Sequence, residues 1–354
     1  MTAYPTLHNK KRFAGRVWSG ILLWTGVGLF AVMPNYSFSQ ACCSGGVPLG
    51  GSLGLGTAEQ KSVQFLITHD INSIKDLVAV DQLLEDDTRN RQTNSLLLEM
   101  NYGISDRFSI AAVVPYITQI RTINGFEGVQ EVTRTQGLGD LVFLLKYRVT
   151  PIENKLNHTW VVGAGPKFPT GKTDFTNNNG LILQADMQPG SGSLDGFLWS
   201  FYQKSGLFLP SLSLVNVVTF RKSGKNTSYN ETQTYEFGDE FQFNLGLNYN
   251  VFTVRWPVDF FVFGRYRSQT EDLIDGNTFP STGGKWIYII PGINVAFHPD
   301  MALRMTTDIP VYWKLDGTQL TTSSKFTLSL FYNLSLSKKG ESILTPSTTF
   351  QLNR

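Results

Sequence analysis

Residues suited to metal binding or covalent chemistry are few in this chain. Its histidines are His8, His69, His158 and His298, and its cysteines are the adjacent Cys42 and Cys43. Zinc sites draw Cys and His ligands at close, repeated spacings, and no such spacing occurs here. A lipolytic site needs a serine held against a histidine. His69 is expected near the outer end of a first strand, on its lipid side, but its neighbours Asp70 and Ile71 supply no serine. The glycine-rich stretch from Ser44 to Gly56 has no preceding strand and no following Lys-Ser/Thr, so it is no phosphate loop. The sequence thus predicts no enzyme, no cofactor and no metal site. For Cys42 and Cys43, a vicinal disulfide, a redox remnant and two free thiols all stay open.

The charged residues show a pattern instead. From Ser324 to Ser337, Phe326, Leu328, Leu330, Tyr332 and Leu334 alternate with Lys325, Thr327, Ser329, Asn333 and Ser335. Side chains of a strand alternate between faces, so one face is apolar and the other polar. Phe108, Ile110, Ala112, Val114 and Tyr116 repeat the apolar face, as do Leu141, Phe143, Leu145 and Tyr147 and then Phe241, Phe243, Leu245, Leu247 and Tyr249. The polar faces carry Glu99, Asp140, Lys146, Arg148, Lys167, Glu240, Arg265, Arg267, Arg304, Asp308 and Lys325. A charge facing lipid at mid-depth costs roughly 2–4 kcal/mol. If the apolar faces meet lipid, these eleven charged residues must face a lumen, where they are the candidate pore lining.

Twelve strands are expected, near 61–70, 92–102, 107–120, 137–149, 158–168, 194–203, 207–220, 235–250, 257–268, 285–297, 301–313 and 324–337. Connections after the even strands are short and those after the odd strands longer and polar. Transmembrane barrels sort their connections this way, into short periplasmic turns and long extracellular loops. The fold class expected is all-β, a transmembrane antiparallel up-and-down barrel of about 12 strands. Aromatics at strand ends on the apolar face, Tyr102, Phe108, Tyr147, Trp160, Tyr249 and Trp313, fit interfacial girdles. Pro115, Pro166, Pro210, Pro291 and Pro310 fall inside expected strands and each removes a ladder donor, so bulges or strand ends are expected there. Asn216, on the apolar face, points to a bulge or a register error.

The start of the chain fits secretion. Lys10, Lys11, Arg12 and Arg16 precede an apolar run from Val17 to Val32, and Ser37 and Ser39 sit at signal-peptidase spacing. The run is shorter than the ~20 residues of a spanning helix. The expected organisation is a signal peptide at 1–39, a glycine-rich segment at 40–58 that plugs or caps the periplasmic mouth, a barrel at 59–337 and a tail at 338–354. Without the leader, 26 basic residues face 28 acidic ones. No basic stripe marks a nucleic-acid partner. Expected partners are outer-membrane lipids, an unidentified small solute and the barrel-assembly machinery.

Short motifs add a resemblance. Tyr102-Gly103-Ile104-Ser105-Asp106-Arg107-Phe108, Gly137-Leu138-Gly139-Asp140-Leu141, Lys146-Tyr147-Arg148 and Lys167-Phe168-Pro169-Thr170-Gly171 resemble the outer-membrane transporter family named for the MetA pathway of phenol degradation. The resemblance implies a barrel in the bacterial outer membrane that passes small, aromatic or otherwise hydrophobic molecules, and it supplies no catalytic residues. The other reading is a non-conducting structural or adhesive surface barrel acting through its loops. Across the fourth and fifth strands, opposing Tyr147 to Trp160 would set Asp140 opposite Lys167 as an ion pair inside the lumen.

Overall fold

The computed structural model describes residues 56–125, 129–151, 157–252 and 256–336. The expected signal peptide, Cys42 and Cys43, most of the glycine-rich segment and the tail lie outside them. Twelve long strands form one antiparallel sheet: β1 (Ser62–Ala79), β2 (Arg89–Gly103), β3 (Phe108–Asn124), β4 (Leu141–Arg148), β5 (His158–Phe168), β6 (Asp195–Ser205), β7 (Leu212–Lys222), β8 (Glu240–Phe252), β9 (Pro257–Gln269), β10 (Gly284–His298), β11 (Met301–Leu315) and β12 (Thr318–Ser335). Each pairs with its neighbours in sequence, and β12 pairs with β1 from Ser62↔Ser335 to Ala79↔Thr318. The sheet is therefore a closed up-and-down barrel, and closure leaves no edge with unpaired backbone groups. No helix among the described residues is long and apolar enough to cross a membrane.

The outside is a band of exposed apolar side chains, including Leu96, Leu98, Met100, Ile110, Leu145, Leu198, Leu247, Val262, Ile289 and Phe326. Tyr102, Phe108, Trp160, Tyr249, Trp256 and Tyr332 are exposed near the end that carries the short turns and both barrel termini. That end is the periplasmic one in the reading above.

Strand lengths differ around the ring. β1 and β12 hold 18 residues each, whereas β4 holds 8 and β5, β6 and β7 hold 11. Eighteen residues run roughly 60 Å along a strand, while crossing a bilayer takes about 9–11. The wall is therefore tall at β1–β3 and β10–β12. Much of what the sequence suggests as loop at 71–91 and 121–136 is this extension: β1 continues to Ala79, Gln82–Leu84 folds back on it, and Gln130–Leu138 pairs with the upper part of β3. Consequently His69 lies well inside β1 rather than near its outer end. The long connection expected after β11 is likewise a two-residue turn, Asp316-Gly317, with Gly317 at φ 90°. The polar residues there stay in strand conformation because the neighbouring chain continues to supply ladder partners.

Prolines sit where the ladder is broken. Pro115 lies where β3 changes partner from β4 to Gln130–Leu138. The β4–β5 register skips Pro166, the β10–β11 register skips Pro291, and Pro210 is in the β6–β7 turn. A register shift at Pro310 has a further effect: Tyr312 faces out and Trp313 packs on an inner cluster. Trp313 is thus not a girdle residue, because one extra residue inverts the alternation. Asn216 needs no bulge. The β7–β8 ladder runs through it, and its amide donates to the Asn244 carbonyl at 2.9 Å.

Candidate functional site

Alternation turns every second residue of each strand into the lumen, and the inner face carries the charges. Glu99 meets Lys146 at 3.3 Å. Glu240 holds Arg267 at 3.1 Å and Arg221 at 3.6 Å, and accepts from the Gln242 amide. Asp308 holds Arg265 at 2.5 Å and Lys325 at 3.5 Å, and Lys325 also reaches Asp70 at 3.7 Å. Arg304 lies over the Phe261 ring at 5.5 Å, near Asp259, and Arg148 lies at the periplasmic end of β4 with Asp106 nearby. Opposite charges are thus paired from one end of the lumen to the other. Among the described residues no group of three or more His, Cys, Asp and Glu could hold a metal.

Asp140 and Lys167 do pair, at 2.7 Å, but by a different route from the one expected. Val142, not Asp140, stands opposite Lys167, and Tyr147 stands opposite Val162, not Trp160. The actual register is two residues from the expected one, and Lys167 reaches diagonally past Val142 to the next residue on the same face, Asp140, just before β4. Lys167 also binds Asp195 at 2.9 Å, and all three side chains are almost fully buried. Asp140 accepts from the backbone of Gly171 and from both the backbone and hydroxyl of Ser191. Asp195 accepts from Ser193 and from the backbone of Gly224. A methyl group on Gly171 would lie 2.6 Å from the Gly190 Cα and 2.9 Å from Gly139. The Gly-Leu-Gly-Asp and Lys-Phe-Pro-Thr-Gly motifs therefore form one knot, with backbone contacts that only glycine permits.

This knot folds the β5–β6 connection inward. Leu183, Ala185, Met187, Gln188, Ser191 and Ser193 are all buried. Arg91 of β2 binds Asp186 at 2.8 Å, Arg121 of β3 donates to Gln184 at 3.0 Å, and Thr135 donates to the Met187 carbonyl at 2.7 Å. Above the short strands, Lys225–Tyr229, Gln233–Glu236, Leu273–Ile274 and Asn277–Thr278 form a separate four-stranded sheet. Its core joins Tyr235 and Phe237 to Ala185, with Tyr229, Ile274 and Phe279 packed around. Tyr235 donates to Asp272 at 2.5 Å. Burial pushes the Tyr235 hydroxyl well above the usual tyrosine range and raises the Asp272 carboxyl.

The lumen is also more apolar than the sequence reading of a polar or mixed inner face suggests. Phe197, Trp199, Phe201, Phe261, Phe263, Trp286 and Tyr288 are buried on inner faces, with Val161, Val217 and Ile290 beside them. β6 and β9 are apolar on both faces, so hydrophobic alternation gives little signal there, and in β9 it is the parity with Arg265 and Arg267 that places Phe261 and Phe263 inside. Glycine stands across the ladder from three of these rings, in the pairs Gly163↔Trp199, Gly246↔Phe263 and Gly292↔Phe261. A Cβ at Gly246 or Gly292 would lie 2.5 or 2.4 Å from the facing ring, so those rings rest on the glycine backbone, along the wall. Lys146 sits 4.8 Å from the Trp199 ring and Arg267 sits 4.6 Å from the Trp286 ring. At the periplasmic end, Thr57 and Ala58 are buried and the Gly56 carbonyl accepts from Asn101 at 3.0 Å.

A closed barrel with a lipid-facing band and a charged, aromatic lumen is an integral protein of the Gram-negative bacterial outer membrane. Over residues 90–330 the chain matches the family described as "Putative MetA-pathway of phenol degradation", and it belongs to that family. No curated protein matches it. Among solved structures, an outer membrane channel of Pseudomonas putida F1 is 15% identical with a TM-score of 0.60, over 81% of this chain and 100% of that one. The β domain of the Bordetella autotransporter BrkA is 11% identical with a TM-score of 0.44, over 77% and 99%. The transport unit of the Escherichia coli autotransporter AIDA-I is 11% identical with a TM-score of 0.43, over 80% and 95%. The first likeness establishes the fold alone, and the two autotransporter likenesses are too loose to argue from.

Proposed function

We propose that this protein is a passive outer-membrane channel for small, neutral, largely apolar molecules, aromatic ones included. The observation that carries the reading is the inner wall of rings, two of them seated directly on glycine backbones. Such rings make the barrel's interior apolar and aromatic, and a solute that enters their packing meets faces that pair well with other rings. The eleven charged residues serve as wall structure in this reading. Paired charges create little net field, which disfavours selection of one ion sign and suits uncharged solutes. The family's description refers to phenol degradation, so phenols are the first solutes to try.

Two inner tryptophans give a direct test. Trp199 and Trp286 are buried in the lumen, so phenol-sized solutes entering refolded barrels should quench their emission saturably. Proteoliposomes should then take up the same solutes faster than sugars of similar size. Equal uptake of both, or none of either, would sink the channel reading.

The packed sheet above the mouth favours a second reading, a non-conducting surface barrel whose loops are its working part. Under that reading the rings are simply a core, and quenching by added solute should be weak and unsaturable.

A further inference from the structure

We propose that the Leu183–Ser193 segment and the four-stranded cap form a gate across the extracellular mouth, with the Arg91–Asp186 ion pair as its latch. The proposal rests on the channel reading above. In a ring of twelve strands, β2 and β3 lie on the opposite side of the lumen from β8 and β9. The cap grows from the β7–β8 and β9–β10 connections, so it starts on one side. Arg91 and Arg121 belong to β2 and β3, on the other. Between them, Arg91 binds Asp186, Ala185 packs on Tyr235, and Tyr235 bonds to Asp272. This chain of contacts spans the opening from wall to wall.

The segment is built to move as a unit from one end. It makes no ladder with the barrel, and its one regular element is the single turn Ala185–Met187. Toward Ser193 it is fixed by the Gly139–Gly171–Gly190 contact and by Asp140. Toward Gln184 its hold on β2, β3 and the Gln130–Leu138 strand is by side chains: the Arg91 ion pair, the Arg121–Gln184 bond, the Thr135 bond to the Met187 carbonyl and the Gln119 bond to the Gln188 carbonyl at 3.4 Å. Of these the ion pair is the strong one, since a buried charged contact broken on one side is far more destabilising than a neutral bond lost. The knot is therefore the hinge, and the Asp186 end is the end that releases.

The test places a cysteine at Met187, a fully buried residue of the segment itself, in a chain whose Cys42 and Cys43 are replaced by serine. Labelling by a charged, membrane-impermeant maleimide is followed in refolded barrels beside single-channel conductance in planar bilayers. R91Q and, independently, D186N should speed labelling by about tenfold or more and lengthen conducting periods, while unboiled samples keep the mobility of the folded barrel. Unchanged labelling in a folded form of either variant overturns the latch. Faster labelling with no conductance or solute uptake in any variant supports the moving lid and overturns the channel reading on which its role as a gate rests.

Discussion

Lys167 contacts Asp140 at 2.7 Å although its ladder partner is Val142. The ion pair runs diagonally because Asp140 lies just ahead of β4, where the chain has left the strand above. The β4–β5 register is the same on both sides of the Pro166 interruption, and the charges adapt to it. Cysteines at Leu145 and Ala164, which face each other on the outer surface, should form a disulfide on mild oxidation. Cysteines at Phe143 and Ala164 should not. Preferential bonding of the second pair would mean the register is two residues away.

Lys167 is buried between two carboxylates, and the knot depends on it. Lys167→Met leaves Asp140 and Asp195 facing each other without a cation, and removal of one partner from a buried ionic group costs about 3–5 kcal/mol. Urea unfolding of the refolded barrel, read by the shift between folded and unfolded mobility, should show a loss of that size. A loss below about 1 kcal/mol, the range of a surface pair, would show that water enters the knot.

The glycine seats predict a sharp contrast within one ladder. A Cβ on Gly246 meets the Phe263 ring at 2.5 Å, whereas one on Gly264 meets only the Leu245 carbonyl at 3.9 Å. Gly246→Ala should push the ring off the wall, lower solute uptake severalfold and cost about 1–3 kcal/mol by overpacking. Gly264→Ala should leave uptake and stability unchanged. Equal effects at the two sites would remove the argument that the rings define the bore.

Alkali should loosen the cap and acid should not. Burial raises the Tyr235 hydroxyl well above its ordinary value of 10.0. Its contribution to cap stability is therefore complete below about pH 10 and is lost as pH rises through the higher folded value. Asp272 is also raised by burial, so its contribution is complete below its ordinary value of 3.8 and declines above it. Acidification therefore favours the closed cap at this contact. Tyrosinate absorbance should show late-titrating tyrosines in the folded barrel, with Tyr235 later than Tyr229, and Y235F should remove the latest of them. Early titration of every tyrosine would contradict the burial of Tyr235.

The alternation of Phe326, Leu328 and Leu330 with Lys325, Thr327 and Ser329 determined two-faced strands, because a strand has a fixed side-chain period, and it took the sorting of short and long connections and the secretory start to read those strands as a membrane barrel. The same rule assigned Glu99, Lys146, Arg265 and Asp308 to the inside. Which charges meet was decided by closure of the ring and by register. Asp308 finds Lys325 across the β11–β12 ladder, but it finds Arg265 two strands away across β10. The rings of β9 were legible only by parity with Arg265 and Arg267, because both faces of that strand are apolar, and only the structure seats Phe261 and Phe263 on Gly292 and Gly246. The inward fold of Leu183–Ser193 was equally hidden. It depends on Gly139, Gly171 and Gly190 and on Lys167, which meet from points up to 51 residues apart in sequence, and a pattern read along one chain holds no record of such a meeting.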